Sequence, residues 1–397
     1  MQWLEELEAV GFHLNRIDEP KRPLIDIWAE PSTVRKHADV MVAPEFLDSD
    51  IDRQKREILL ANKYRTKRNT DRSNEKETSE EGEHSSKRND QSNARKRRSD
   101  AQVAAGADSF NLLQYHRYDE ILQYMHDLSE KYPHLVSEFN VTKSFEGRDL
   151  RGIKLVNGYG HDEEITKMVD TFDWYFVPVA NPDGYEYSMT IVLGTSEFKD
   201  RLWRKTRSRN TTVNKWCVGV DANRNWGYRW GEAGANRSPC SNIYHGAEPF
   251  SEVEVSGIRD FTTWQIPELK IYVSLHSYGQ VFLTPWGYTK DKPFNYYDQK
   301  TAARLAVEAI KNKTGAAYTY GTISELMYPA SGTSIDYMQS KGVPYIYGIE
   351  LRPEDVDNNF GFTIPAKYIE PTGEEMLSAF LTMTRYATSV QTTYTYV

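Results

Sequence analysis

The sequence of 397 residues is poor in cysteine, in long apolar runs and in net positive charge. Its two cysteines, Cys217 and Cys240, would pair in an oxidising compartment and remain ordinary thiols in a reducing one. No apolar run reaches the roughly 20 residues that a membrane-spanning helix needs. A net charge of −8 argues against a nucleic-acid-binding protein. A hydrophobic content of 39% instead indicates a globular protein with a substantial core.

Hydrophobic residues are almost missing between residues 65 and 100, where Ala94 is the only one. Such a segment cannot bury apolar surface, so it is predicted to be disordered. It ends in the basic run Arg95-Lys-Arg-Arg98, which by itself is equally typical of a solvated tether or a nuclear signal. Because this run lies on a disordered connection between two folded units, we interpret it as a cleavage site for a basic-specific protease.

The residues before this connection, 1–64, are predicted to form a small α+β unit. The pattern predicts a helix at Trp3–Val10, strands at Leu24–Trp28 and Val40–Val42, and helical spacing within Asp48–Tyr64. The acidic, amphipathic start differs from a signal peptide and is typical of the interior of a domain. We therefore expect the N-terminus to be incomplete.

The main domain is predicted to span residues 109–397, after a linker at 65–108. Its predicted strands are Leu135–Thr142, Leu150–Val156, Asp173–Val179, Leu269–His276 and Tyr345–Leu351. Its predicted helices are His116–Tyr132, Glu163–Val169, Lys300–Lys311 and Pro371–Thr388. Alternating strands and helices predict an α/β fold with a mixed central sheet and helices on both faces.

Arginines surround a short apolar run, Cys217–Val220, which we interpret as the end of a strand followed by a turn at Asp221–Asn225. An arginine can hold a carboxylate with two hydrogen bonds, and an asparagine can add a donor beside it. Asn223 and Arg224 are therefore candidates for binding an anionic group. A solvated basic loop is the alternative interpretation of any single arginine.

A histidine and a glutamate end two further apolar strands. His276 follows the run Ile271–Leu275, where a role as a metal ligand competes with that of an ordinary polar residue. Glu350 follows Tyr345–Ile349, and a carboxylate in that setting needs a partner to offset its desolvation. Such a glutamate is a natural general base.

Several motifs occur in the order found in a known family. The segments are Cys217–Trp226, Tyr244–Gly246, His276–Tyr278, Tyr328–Gly332 and Glu350–Arg352. Together they resemble the zinc metallocarboxypeptidases of the pancreatic carboxypeptidase A/B type, over roughly residues 110–390. Several motifs in a fixed order are more specific than any one of them.

The resemblance implies roles for the catalytic residues. His276 would be the downstream ligand of one Zn²⁺ per chain, and Glu350 would be the base that activates the metal-bound water. Arg204 would stabilise the negative charge of the tetrahedral intermediate. The reaction implied is release of the C-terminal residue of a peptide.

The resemblance also implies the substrate contacts. Asn223 and Arg224 would hold the terminal carboxylate, Tyr328 would close over the bound C-terminal residue, and Tyr278 would line the next subsite. Ile335 stands where members that remove Lys or Arg carry an aspartate, so aromatic or aliphatic ends are expected to be preferred. The neighbouring Asp336, in a strand or turn, is expected to point elsewhere.

One part of the family pattern is missing from the sequence. A strand followed by His-x-x-Glu and a helix should lie after Val156, but about 30 residues are absent there. Two of the three protein ligands of a catalytic zinc would go with it. His161 and Glu164 form a rival His-x-x-Glu pair, although the start of a helix explains the same residues. The strands that flank the missing piece are expected to have unpaired backbone groups or a shifted partner.

The resemblance implies a secreted, monomeric precursor in which residues 1–64 are a partial activation propeptide and a basic-specific protease is the activator. A secreted chain would pair Cys217 with Cys240, and four Asn-x-Ser/Thr triplets lean weakly the same way. Two functions remain open. The first is a zinc metallocarboxypeptidase that acts on peptide C-termini, without nucleic-acid or membrane partners. The second is an inactive homologue or truncated isoform that at most binds such termini.

Overall fold

The computed structural model describes residues 110–156, 159–191, 200–354 and 360–390, together with the backbone of two strands near the N-terminus. Those two strands, β1 at Phe12–Ile17 and β2 at Leu24–Ala29, pair in antiparallel fashion, and β2 confirms the strand predicted at Leu24–Trp28. The helix predicted at Trp3–Val10, the strand at Val40–Val42 and the linker at 65–108 lie outside the described residues. The strands are β1 Phe12–Ile17, β2 Leu24–Ala29, β3 Val136–Lys143, β4 Asp149–Leu155, β5 Trp174–Phe176, β6 Ile271–Ser277, β7 Val281–Thr284, β8 Thr319–Thr322 and β9 Tyr345–Leu351.

Eight α-helices accompany the strands in these ranges. They are α1 Tyr118–Lys131, α2 Glu163–Thr171, α3 Pro182–Met189, α4 Val253–Asp260, α5 Tyr296–Thr314, α6 Ile323–Leu326, α7 Ser334–Ser340 and α8 Ile369–Ser389. A π-helical turn, Phe261–Gln265, continues α4, and a 3₁₀ turn covers Ala222–Arg224. None of the helices in the described ranges combines the length and the apolar character that crossing a bilayer requires.

The main domain confirms the predicted α/β fold with a mixed sheet. One part of the sheet is antiparallel, in the order β3-β4-β5, and the other has the order β6-β9-β7-β8. In the second part β6 is parallel to β9, β9 is antiparallel to β7, and β7 is parallel to β8. The sheet is therefore mixed because this second part combines parallel and antiparallel pairs.

Helices cover both faces of the four-stranded part, because alternate side chains of its strands point in opposite directions. On one face Tyr347 of β9 and Phe282 of β7 pack with α5 and α8 in a cluster that includes Ala303 and Met383. On the other face Ile346, Val281 and Leu283 pack with residues of α4 and α7. Both clusters are buried, so this half of the sheet is the rigid support of the domain.

A slot separates the two parts of the sheet. In the described residues, neither β5 nor β6 has a strand partner on the side where they face each other. The slot has a volume of about 1120 Å³, and its lining includes residues of β5, β6, α4 and α8. This arrangement agrees with the expectation of unpaired strands beside a missing piece, since the absence after Val156 lies between β4 and β5 in the chain.

Several predicted elements are confirmed, and others were wrong or missed. Strand β9 has the predicted bounds, while β5 is only three residues long within the predicted Asp173–Val179. The run Cys217–Val220 is not a strand, which corrects the interpretation of a strand end there. Strands β7 and β8 and helices α3, α4 and α7 were not predicted, because their short patterns resemble loops. The cysteines Cys217 and Cys240 form a disulfide, as expected of a secreted chain.

Candidate active site

Two arginines flank one buried aspartate at the centre of the candidate site. The Nε and Nη2 atoms of Arg204 donate to Oδ2 of Asp221 at 3.0 and 2.8 Å, and Nη1 of Arg224 lies 3.8 Å from the same oxygen. Burial raises the pKa of Asp221, but the two guanidinium charges and hydrogen bonds outweigh burial and leave that pKa below its ordinary value. The three groups therefore carry one net positive charge, which favours an anionic ligand.

Arg224 is held in place by hydrogen bonds from its own guanidinium. Its Nε donates to the carbonyl oxygen of Gly234 at 2.7 Å, and its Nη2 donates to the hydroxyl of Tyr328 at 2.9 Å. Only 3% of its surface is exposed. A guanidinium fixed in this way loses little entropy when it binds a carboxylate. The structure thus brings together Arg224 and Tyr328, which the resemblance assigns to the terminal carboxylate and to closure over the C-terminal residue.

Glycine allows the loop that carries Tyr328 to approach the loop that carries Arg224. A Cβ atom on Gly332, at φ +66°, would lie 2.4 Å from the carbonyl oxygen of Arg224. The N–H of Trp226 donates to the carbonyl oxygen of Gly332 at 3.0 Å. A side chain at position 332 would therefore separate the two loops and move Tyr328 away from Arg224.

Asn223 and Ile335 lie at the start of α7. The N–H of Ser334 donates to Oδ1 of Asn223 at 3.0 Å, which leaves the NH₂ end of that amide as its donor side. Ile335 is the next residue, and it is only 3% exposed. The side-chain amide of Asn223 is therefore anchored next to Ile335, at the residue that precedes it in the helix.

Asp336 belongs to the first turn of α7, not to a strand or turn as the sequence suggested. Its carboxylate accepts the N–H groups of Gly287 and Tyr288, at distances between 2.8 and 3.1 Å. These contacts hold the carboxylate against the segment that contains Gly287 and Tyr288. Burial raises the pKa of Asp336 to about 7, against the opposing effect of the two N–H groups.

His276 and Glu350 lie side by side, because they are register partners in the parallel pair β6–β9. Nε2 of His276 is 2.8 Å from the hydroxyl oxygen of Ser274. Burial and the nearby charge of Arg204 lower the pKa of His276 to about 4, so its ring is neutral near pH 7. The structure thus places the predicted ligand and the predicted base at one end of the sheet.

Tyr278 follows β6 directly, after a cis peptide bond with Ser277. Its ring packs edge-on against the ring of Phe362, with centroids 4.8 Å apart. Arg201 reaches the same segment, since its Nη2 donates to the carbonyl oxygen of Phe362. The side of the site next to His276 therefore has an aromatic wall that comes from two distant segments.

The described residues do not fit a catalytic zinc, which takes three protein ligands. No group of three His, Cys, Asp or Glu side chains in these ranges could hold a metal ion, so His276 has no such partners there. The rival ligands His161 and Glu164 lie at the start of α2. There Asp162 caps the helix through the N–H of Ile165, and Glu164 pairs with Arg385 at 3.3 Å. The helix-start interpretation of this segment is the one that its contacts support.

Two residues of the site were not assigned from the sequence. Asp221 holds Arg204, and the N–H of Ser334 orients Asn223. A signal for Asp221 did exist, because an acidic residue among several arginines is expected to pair with them. Ser334 acts through its backbone N–H, and a contact of this kind cannot be predicted from the type of the side chain.

Comparisons with known proteins show what the main domain is similar to. A family model described as zinc carboxypeptidase matches residues 121–158 and 153–379. The two matched segments meet where the sequence lacks the expected strand and helix. Both matched segments lie within the main domain.

Individual relatives extend this likeness. The chain is 39% identical over 293 residues to carboxypeptidase B of Astacus astacus, which covers 66% of this chain and 93% of that protein. It is 36% identical over 314 residues to carboxypeptidase A1 of Bos taurus, covering 70% of this chain and 72% of that protein. Among solved structures, it resembles bovine thrombin-activatable fibrinolysis inhibitor in complex with tick carboxypeptidase inhibitor. That match has a TM-score of 0.63 and 31% identity, and it covers 70% of this chain and 99% of the other.

Proposed function

This chain belongs to the zinc carboxypeptidase family, and we propose that its site binds the C-terminal residue of a peptide for hydrolysis of the last peptide bond. One observation carries the proposal. Arg224 is buried, hydrogen-bonded to Tyr328, and close in the chain to Asn223, whose amide is tied to the helix that carries Ile335. Hydrogen-bond donors beside an apolar side chain match the carboxylate and the side chain of an apolar C-terminal residue.

The terminal carboxylate would bind between Arg224 and Asn223. The guanidinium offers a fork of N–H donors, and because Asp221 is paired with Arg204, the charge of Arg224 remains in excess. An internal peptide group carries no such negative charge. The clamp therefore restricts the site to chain ends.

The C-terminal side chain would pack toward Ile335. This residue is only 3% exposed and belongs to the apolar cluster that also holds Ile346. A lysine or arginine end would bring a charge to that apolar surface without a partner, which is costly. We infer a preference for Phe, Tyr, Leu or Ile ends.

Glu350 would take a proton from the attacking water, since it lies beside His276 at the end of β9. Arg204, with 34% of its side chain exposed, is the cation that can turn toward the oxyanion as charge develops. The family implies Zn²⁺, which would polarise the carbonyl group and acidify the water. The described residues supply His276 alone, so hydrolysis needs ligands beyond this set.

A second function follows from the same donor set. With one zinc ligand and an intact carboxylate clamp, the chain would bind peptide C-termini without releasing the last residue. Zinc stoichiometry in the purified, processed chain separates the two functions. One zinc per chain with chelator-sensitive release of C-terminal residues supports hydrolysis, and binding of peptide acids without zinc supports the second function.

The remaining features of the precursor are part of the proposal. Residues 1–64 would be a partial activation propeptide, 65–108 a linker with the cleavage site, and 109–397 the carboxypeptidase-like domain. A basic-specific protease would cut after the run Arg95–Arg98. The disulfide Cys217–Cys240 supports a secreted product, which we propose to be monomeric.

A further inference from the structure

Four Asn-x-Ser/Thr triplets lie in the described residues, and each is a potential acceptor of an N-linked oligosaccharide in a secreted chain. They begin at Asn140, Asn210, Asn236 and Asn312. An attached oligosaccharide is bulky and hydrophilic, so the folded protein must leave the acceptor asparagine in water. The triplet also needs its hydroxyl residue, two positions after the asparagine. The surroundings of these two residues therefore distinguish the four triplets.

Two of the triplets have their hydroxyl residue packed between elements of the fold. In the triplet that begins at Asn140 in β3, Thr142 packs so closely against α4 that a Cβ atom on Gly257 would lie 2.4 Å from its side chain. In the triplet that ends α5, the hydroxyl of Thr314 donates to Oε1 of Glu375 on α8 at 2.9 Å. Both threonines therefore take part in contacts that hold separate elements together.

The triplet at Asn236 belongs to a paired segment. The N–H of Asn236 donates to the carbonyl oxygen of Ile243 at 2.9 Å, and its carbonyl oxygen accepts the N–H of His245 at 3.2 Å. Its side-chain Oδ1 accepts the N–H of Ser238 at 2.7 Å. The backbone and the side chain of this asparagine thus both fix the local course of the chain, and the residue is only partly exposed.

Asn210 lies on a loop that projects from a closed base. At the base, the N–H of Gly219 donates to the carbonyl oxygen of Ser208 at 2.8 Å. Every residue from Arg209 to Val213 is exposed, and none of them belongs to a helix or a strand. Exposed loops tolerate bulky additions, because no packed neighbour has to move. The folded protein can therefore accommodate an oligosaccharide at this asparagine.

The hydroxyl residue of this triplet lies beside the acceptor amide. The hydroxyl of Thr212 donates to Oδ1 of Asn210 at 2.5 Å, and the N–H of Val213 donates to the same oxygen at 3.3 Å. Both bonds are made to the oxygen of the amide, so neither of them occupies the nitrogen, which is the atom that receives the sugar. In this triplet alone among the four, the asparagine and the hydroxyl residue are both exposed on a loop.

Two large apolar side chains are exposed on the same loop. Val213 is 45% exposed and Trp216 is 88% exposed. Trp216 follows the turn that Asn210 begins, because its N–H donates to Oδ1 of Asn214, whose own N–H donates to the carbonyl oxygen of Asn210. Exposed apolar surface favours self-association, and a hydrophilic oligosaccharide on the same loop would oppose it.

We propose that Asn210 carries an N-linked oligosaccharide. The step is a glycosyl transfer from a lipid-diphosphate-linked oligosaccharide. The amide nitrogen of Asn210 forms a bond to the anomeric carbon of the first sugar, the bond from that carbon to the phosphate oxygen breaks, and the lipid diphosphate leaves. The amide nitrogen loses one proton to the transferase, and nothing is oxidised or reduced.

This inference rests on the secreted route that is part of the proposed function, because the transfer takes place on chains that enter that route. The disulfide Cys217–Cys240 reports on the same route without depending on the oligosaccharide. The state of the two cysteines therefore tells a failure of the secreted route from a failure of the site.

Peptide mapping of the full chain, produced with a secretion leader in eukaryotic cells, tests the site. A glycosidase that releases N-linked oligosaccharides leaves an aspartate in place of each modified asparagine, so mass analysis identifies the position. We expect this conversion at position 210. An unmodified Asn210 in protein that carries the disulfide would overturn the site and leave the secreted route standing. Reduced cysteines together with an unmodified Asn210 would refute both.

Matched variants test the triplet itself. Asn210→Gln removes the acceptor, and Thr212→Val removes the hydroxyl while keeping a branched side chain of similar size. We expect both variants to lose the mass of one oligosaccharide. Thr212→Ser keeps the hydroxyl, and Asn214→Gln changes an asparagine of the same loop that begins no triplet, so both should retain the oligosaccharide. An unchanged mass in Asn210→Gln would overturn the proposal.

Discussion

The two sides of the candidate site differ in how they are supported. The recognition side, with Arg224, Tyr328 and Ile335, is held by hydrogen bonds and by an apolar cluster of the four-stranded part of the sheet. The metal side depends on His276, which ends the strand that borders the slot. Substrate recognition can therefore persist where metal binding cannot, because the first relies on hydrogen bonds and a buried apolar cluster, and the second on the strand at the edge of the slot. Four predictions test this contrast.

The largest expected difference concerns zinc and hydrolysis. The chain as it stands should bind no stoichiometric zinc and be nearly inactive. Inserting the strand, His-x-x-Glu and helix of a relative after Val156 should raise peptidase activity by at least about 10³-fold, since even one group that stabilises the transition state is worth about 10²–10³ in kcat. Metal analysis and release of C-terminal residues measure both effects.

His161→Ala is the control for this prediction. If His161 lies only at the start of a helix, the variant should leave any bound zinc unchanged. Loss of zinc in that variant would restore His161 and Glu164 as ligands. One tightly bound zinc in the unaltered chain would contradict the contrast between the two sides.

The carboxylate clamp should respond next. Arg224→Ala should weaken binding of a peptide acid by about 10- to 100-fold, because a hydrogen bond to a charged group contributes about 1.5–3 kcal/mol. The same peptide with an amidated C-terminus should bind weakly to both forms. Calorimetric titration of both peptides measures the difference.

Arg304→Ala is the matched control, because Arg304 lies on the exposed side of α5, where it pairs with Glu308. It should leave peptide binding unchanged. An equal loss for the acid and the amide in Arg224→Ala would show that the variant disturbs the fold and not the clamp.

A smaller effect is expected at Ile335. Burying an aromatic or aliphatic side chain gains about 1.5–3 kcal/mol, so peptides that end in Phe or Leu should bind at least about tenfold better than those that end in Lys. Ile335→Asp should reverse the order, and Ile335→Leu should preserve it. Binding of peptide pairs that differ only in the last residue measures this preference. Tighter binding of the Lys peptide by the unaltered chain would show that Ile335 does not line the pocket.

The smallest effect concerns the pH dependence of stability near the recognition side. The pKa of Asp336 is about 7 in the folded chain against 3.8 as its ordinary value, so the folded state binds more protons between these limits. Stability from this group is complete below pH 3.8 and is lost as the pH rises through 7. We expect a decrease of about 1 kcal/mol between pH 6 and 7.

Asp336→Asn removes the titrating group and should flatten this part of the curve. Denaturant unfolding at a series of pH values provides the measurement. A slope of the same size in the variant would assign the pH dependence to another group.

Much of the fold follows from local pattern. Strand β9 and helices α1 and α8 were predicted because a long periodic run of apolar residues specifies both the element and its buried face. Strands β7 and β8, with four residues each, were missed. Runs this short become strands through their neighbours, and periodicity cannot distinguish them from loops.

The sequence by itself determined which residues are candidates for the site, because side-chain chemistry and motif order can be read along the chain. It also indicated that a strand is missing after Val156. Only the tertiary structure decided that Asp221 lies between two arginines, that Ile335 begins a helix, and that β5 and β6 border an open slot. Strand pairing and ion pairs join residues that are far apart in the chain, so they depend on how the layers pack and not on local pattern.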